Sequence, residues 1–111
     1  MLVEPPGRYG LKEETIEKIN AVFAAYPQTE RVILYGSRAK GNYRHSSDID
    51  LVIQGERVTH AQLLQMENQL DDLLLPYKID LSLLHAIESR DLLDHIERVG
   101  QVFYVRRLDP A

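Results

Sequence analysis

Cysteine is absent from the 111 residues. That excludes disulfides, thiolate metal sites and a cysteine nucleophile. The four histidines (His45, His60, His85 and His95) show no zinc-like spacing. No apolar run approaches the ~20 residues needed to span a bilayer. The opening MLVEPPGRYG lacks the charged-then-apolar pattern of a secretion signal. A cytoplasmic protein independent of membranes is therefore expected. Positive charge is also scarce, with 13 basic against 17 acidic residues and a net charge of −4. A nucleic-acid binder normally carries a basic face, so no direct nucleic-acid binding is expected.

What is present is ordinary for a globular domain, with 44% hydrophobic and 27% charged residues. The length supports one domain over 1–111, with roughly two-thirds of the unfolded surface buried. Pro5, Pro6, Gly7 and Gly10 mark 1–10 as an irregular lead-in, and 106–111 reads as a tail. Ile16, Ile19, Val22, Phe23 and Tyr26 fall at helical spacing over 12–26, where Pro27 stops the helix. RVILY over 31–35 reads as a strand, followed by a Gly/Ser/Asn/Arg-rich loop over 36–47 with room for a short helical turn. DIDLVIQ over 48–54 reads as a second strand. A helix over 60–75 is expected to turn Leu63, Leu64, Met66, Leu70, Leu73 and Leu74 inward. YKIDLSLL over 77–84 reads as a third strand. Ser89 caps a last helix running to about Val99 with Leu92, Leu93 and Ile96 inward, Gly100 stops it, and QVFYV over 101–105 reads as a fourth strand. The order α-β-β-α-β-α-β predicts an α/β (α+β) fold: one small mixed sheet of about four strands with its helices packed on one side.

The chemistry concentrates in 31–50. Arg31, Arg38, Lys40 and Arg44 precede Asp48 and Asp50 with no acid between them, a balance suited to a metal–polyphosphate ligand. Residues two apart on a strand share a face, with Cβ atoms about 7 Å apart. Asp48 and Asp50 would project together, away from Ile49, Leu51 and Ile53. Two adjacent carboxylates are costly to desolvate unless a cation lies between them, and Mg2+ takes such oxygens. Asp80, between Ile79 and Leu81, would join them if the third strand lies beside the second. Gly36 lets a ligand approach the main chain, Ser37 offers a hydroxyl and an N–H to phosphate, and Arg38 and Lys40 add positive charge. Read singly, these features are also compatible with a plain turn and strand-edge aspartates. Tyr35 reads as core, Arg44 and His45 as solvated loop, and His60, His85 and His95 as surface or interface.

Taken together, Gly36-Ser37, ten residues, then Asp48-x-Asp50 (GSRAKGNYRHSSDIDL) resembles the signature of the DNA polymerase beta-like nucleotidyltransferase superfamily. Asp80 falls where that family carries its third carboxylate, and the likeness continues through LPYKIDLSLL and IERVGQVFYV. The resemblance implies a polymerase beta-like fold and transfer of a nucleoside monophosphate by attack on an α-phosphorus. It implies two Mg2+ ions held by Asp48, Asp50 and Asp80, with ATP as substrate and Gly36 and Ser37 on its phosphates, where the charges of Arg38 and Lys40 would add to the binding. At this size the chain looks like the minimal nucleotidyltransferases (MNT) that pair with HEPN-domain proteins in toxin–antitoxin operons. That implies an antitoxin, in a hetero-oligomer with a HEPN-domain toxin, that adenylylates a toxin tyrosine. Two other readings stay open: a non-catalytic module that neutralises a HEPN ribonuclease by binding it, and a nucleotidyltransferase for a small molecule or an RNA end.

Overall fold

A computed structural model of the protein describes residues 8–106. The expected lead-in therefore lies outside the described residues over 1–7, and the expected tail over 107–111. Residues 8–11 form a tight turn, in which Arg8 and Leu11 make an isolated bridge around Tyr9 (φ 59°) and Gly10 (φ 74°), closed by a Leu11 N–H to Arg8 carbonyl hydrogen bond of 2.8 Å.

Helix α1 (Glu13–Ala24) buries Ile16, Ile19, Val22 and Phe23, and Glu13 and Glu14 lie where the helix dipole favours negative charge. Strand β1 (Arg31–Tyr35) leads directly into a five-residue helix, α2 (Gly36–Lys40). Strand β2 (Ile49–Gln54) follows, then α3 (His60–Asp71) and β3 (Ile79–Leu83). A 3-10 turn (Leu84–Ala86), α4 (Arg90–Val99) and β4 (Gln101–Val105) complete the order. Ser89 caps α4 by accepting the Leu92 N–H at 3.2 Å, and the Gly100 N–H closes its end on the Ile96 carbonyl at 2.8 Å.

The strands form one sheet in the order β3-β2-β1-β4. β1 runs antiparallel to β2 and β4, while β2 and β3 run parallel, joined through α3. The sheet is thus mixed and four-stranded, as the sequence pattern predicts. The side alternation along β2 is the one that places the site. Ile49, Leu51 and Ile53 enter the main core with α1 and α3, so Asp50 and Val52 face the other way.

The helices do not all pack on one side, which corrects the expected arrangement. α1 and α3 cover one face; Ile96 of α4 packs with Tyr35 and Val52 on the other, flanked by Ile33, Leu92 and Val99. The reason lies in the central strands. Val32-Ile33-Leu34 and Leu51-Val52-Ile53 are apolar on both faces, and a two-sided apolar strand needs cover on both.

α3 ends earlier than expected and buries fewer leucines. Leu63, Met66 and Leu70 are buried, whereas Leu64 and Leu74 are exposed. Leu64 lies about 100° around the helix from Leu63, off the i, i+3, i+7 stripe. Leu74 stands beyond the helix end in a left-handed conformation (φ 54°).

Candidate active site

Parallel pairing sets Asp50 directly beside Asp80 in the register of β2 and β3. Adjacent strands lie about 4.8 Å apart, so these two carboxyl groups leave the same face side by side. That face is the one carrying α4, opposite the main core. Asp48 is exposed and stands immediately before β2, one residue short of the strand expected for it. Asp50 is half-buried and Asp80 exposed.

Electrostatics records this crowding. Burial raises the Asp50 carboxyl above its ordinary value, and the charges of Asp80 and Asp48 raise it further, with a partial offset from His95 and Lys78. The ion pairs among the described residues are Arg8–Glu13 and Lys18–Glu14, so none neutralises the three aspartates. Nor, among the described residues, are three His, Asp or Glu side chains gathered tightly enough to enclose a metal ion by themselves. The arrangement is a cluster of oxygen donors under mutual repulsion, open to solvent at Asp48 and Asp80. That donor chemistry fits a hard divalent cation with phosphate or water completing its shell.

The turn after β1 is built against the same cluster. Gly36 has φ 76°, and a Cβ placed on it would collide with the Asp50 carboxylate. Glycine is required here twice over, for the backbone angle and for the close approach. Ser37 follows, half-buried, and its carbonyl accepts the Gly41 N–H at 3.0 Å where α2 closes. Lys40 is exposed at the last position of α2.

Arg38 does something other than the phosphate contact expected for it. It is 2% exposed. Its Nη2 donates to the carbonyls of Ser47 (2.8 Å) and His45 (3.2 Å), its Nε to Ser47 (3.1 Å) and its Nη1 to Tyr9 (2.9 Å). The guanidinium also lies against the rings of Tyr43 and Tyr77, 5.4 and 4.9 Å from their centroids. A cation with its donors spent on three main-chain carbonyls is not available to a polyphosphate. Arg38 ties the 41–47 loop down just ahead of Asp48.

Two residues read otherwise from sequence also reach this corner. His95, read as surface or interface, accepts the Gly36 N–H on Nε2 at 3.3 Å and lies close enough to Asp50 to influence its carboxyl. The signal for it was available: Leu92, His95, Ile96 and Val99 form one helical stripe, which sets His95 on the inner face of α4. Tyr35, core as expected, pairs in register with Asp50. Its hydroxyl is raised above its ordinary value, first by burial, with an offset from the Ser82 hydroxyl and further increments from Asp80 and Asp50.

A strand leading straight into a Gly-Ser helical turn, packed on an aspartate that is paired across a sheet with another, defines the class. The chain belongs to the polymerase beta nucleotidyltransferase family, whose model matches residues 17–108. Among solved structures it is similar to a chain of a toxin–antitoxin complex with AMP-PNP, at 21% identity and TM-score 0.66, covering 87% of this chain and 76% of that one. It is likewise similar to a chain of the Shewanella oneidensis complex of a tri-AMPylated HEPN toxin with its MNT antitoxin (17% identity, TM-score 0.64, 86% and 74% covered). A chain of the MntA–HepT toxin–antitoxin complex is similar at 18% identity and TM-score 0.62, with 85% and 73% covered. At these identities the likeness establishes the fold. No curated protein sequence matches the chain.

Proposed function

We propose that the protein is a Mg2+-dependent nucleotidyltransferase, the antitoxin of a HEPN/MNT pair, which transfers AMP from ATP to a tyrosine hydroxyl of a HEPN-domain toxin. The observation that carries this reading is the in-register pair Asp50–Asp80, within the field of Asp48, with Gly36 packed on Asp50 and no cationic side chain ion-paired to any of the three among the described residues. Three such carboxylates have no evident structural task, and their repulsion is relieved by cations. Several solved structures of similar fold are chains of toxin–antitoxin complexes, one with AMP-PNP and one with a tri-AMPylated HEPN toxin, which supports the choice of nucleotide and of partner.

In this reading Asp48, Asp50 and Asp80 hold two divalent ions. Bound there, the ions supply charge neutralisation of the triphosphate and a lowered pKa for the acceptor hydroxyl. Gly36 lets the triphosphate approach the main chain, Ser37 donates to a phosphate oxygen, and Lys40 contributes positive charge from the end of α2. The tyrosine oxygen forms a bond to the α-phosphorus and the bond from that phosphorus to the bridging oxygen breaks. Pyrophosphate leaves with the electron pair, and Asp80 takes the hydroxyl proton. Arg38 acts through the loop it secures. No helix among the described residues is long and apolar enough to cross a membrane.

Co-expression with a HEPN-domain toxin separates catalysis from simple occlusion. The wild-type chain should restore growth, while Asp50→Asn and Asp80→Asn should fold, still bind the toxin and fail to protect. Full protection by either variant would replace the enzyme with a binding module.

A further inference from the structure

Helix α4 contributes no carboxylate to the cluster, yet His95 reaches from it to the turn that opens α2. Its Nε2 accepts the Gly36 N–H at 3.3 Å. Its ring stands edge-on to Tyr35, with 6.1 Å between centroids and 84° between planes. Gly36 is held from a second side as well, because the Asp50 carboxylate occupies the space where a Cβ would be. Glycine at positive φ is the most permissive joint a chain can have. Here its N–H is spent on His95 and its open side is filled by Asp50, so the joint is fixed between an element above the sheet and a residue within it. The consequence falls on Ser37, whose hydroxyl and N–H are carried by the direction the chain takes at Gly36.

We infer that His95 is a positioning residue: by accepting the Gly36 N–H it sets the Gly36–Ser37 turn against Asp50, and thereby where a nucleoside triphosphate's phosphates sit relative to the carboxylates. The inference rests on the nucleotide-binding reading above. His95 touches neither phosphate nor acceptor in this role; it acts through the turn. It also makes the placement of α4 a determinant of nucleotide affinity, although α4 itself lies outside the Gly36–Asp50 motif.

Two variants of the full chain test it. His95→Leu keeps bulk against Tyr35 and removes the acceptor, whereas His95→Gln restores an acceptor oxygen near the position of Nε2. Two readouts apply: the Kd for ATP with Mg2+ by titration calorimetry, and the Gly36 amide resonance by NMR without nucleotide, with circular dichroism to establish that both variants fold. His95→Leu should weaken Kd about three- to tenfold, the size of one neutral hydrogen bond, and move the Gly36 resonance. His95→Gln should bring both back toward wild type. Wild-type affinity in His95→Leu, or a His95→Gln variant as weak as His95→Leu, would overturn the inference. If the wild-type chain fails to bind ATP with Mg2+, the nucleotide reading falls. A Gly36 resonance that moves in His95→Leu and returns in His95→Gln then still upholds the fixing of the turn, and one that stays in place overturns it.

Discussion

At Arg38 a side chain fully able to bind phosphate is buried and consumed by the carbonyls of Tyr9, His45 and Ser47. Removing it would strand those acceptors and leave a cavity between Tyr43 and Tyr77. Arg38→Ala is therefore expected to destabilise the fold by about 2–4 kcal/mol, measured by urea unfolding. A loss under about 0.5 kcal/mol would mean that the carbonyls find other partners and that Arg38 is free to serve the ligand. Asp50 presents the opposite situation, a charge held where the fold resists it. Its carboxyl is raised by burial and by Asp80 and Asp48, so the folded chain binds that proton more tightly than the unfolded chain does. The stabilisation linked to that proton is complete below the ordinary carboxylate pKa and is lost as pH rises through the folded value. In the presence of a chelator, Asp50→Asn should thus melt at a higher temperature than wild type at pH 7, the difference closing toward about pH 4. A variant that melts lower at pH 7 would show that the ionised carboxylate is already compensated within the protein.

At the scale of elements, the turn into α2 and the parallel β2–β3 pair bring the candidate site together, while capping decides how firmly α3 bridges β2 to β3. Thr59 accepts the Gln62 N–H at 3.1 Å and its own N–H donates to Gln62 Oε1 at 3.1 Å, a reciprocal box at the start of α3. Thr59→Ala should cost about 1 kcal/mol of unfolding free energy and leave the Asp50–Asp80 register intact. Unchanged stability would show that packing alone holds the helix start. The strands and the three long helices were legible because their periodicities differ and Pro27, Gly36, Pro76 and Gly100 punctuate them. The side on which α4 packs was less so. It depends on Ile33 and Val52, which make the central strands apolar on both faces, and a continuous apolar run hides that alternation. The task of Arg38 was not legible either, since a cation after Gly-Ser reads equally as a phosphate ligand or a loop clamp until its distance to Ser47 and Tyr9 is known.

Across the whole molecule, a net charge of −4 coexists with a corner where carboxylates from two strands crowd one another. α1 and α3 insulate one face of the sheet, α4 covers part of the other, and Asp48 and Asp80 stay open to solvent at its margin. The decisive measurement is the intact mass of a HEPN-domain partner protein from the same organism after incubation with this chain, Mg2+ and ATP. The account predicts gain of one or more adenylyl units, abolished in Asp48→Asn and by chelation. An unmodified partner, held in a stable complex and silenced none the less, would contradict it and leave the three aspartates without nucleotidyl transfer as their task.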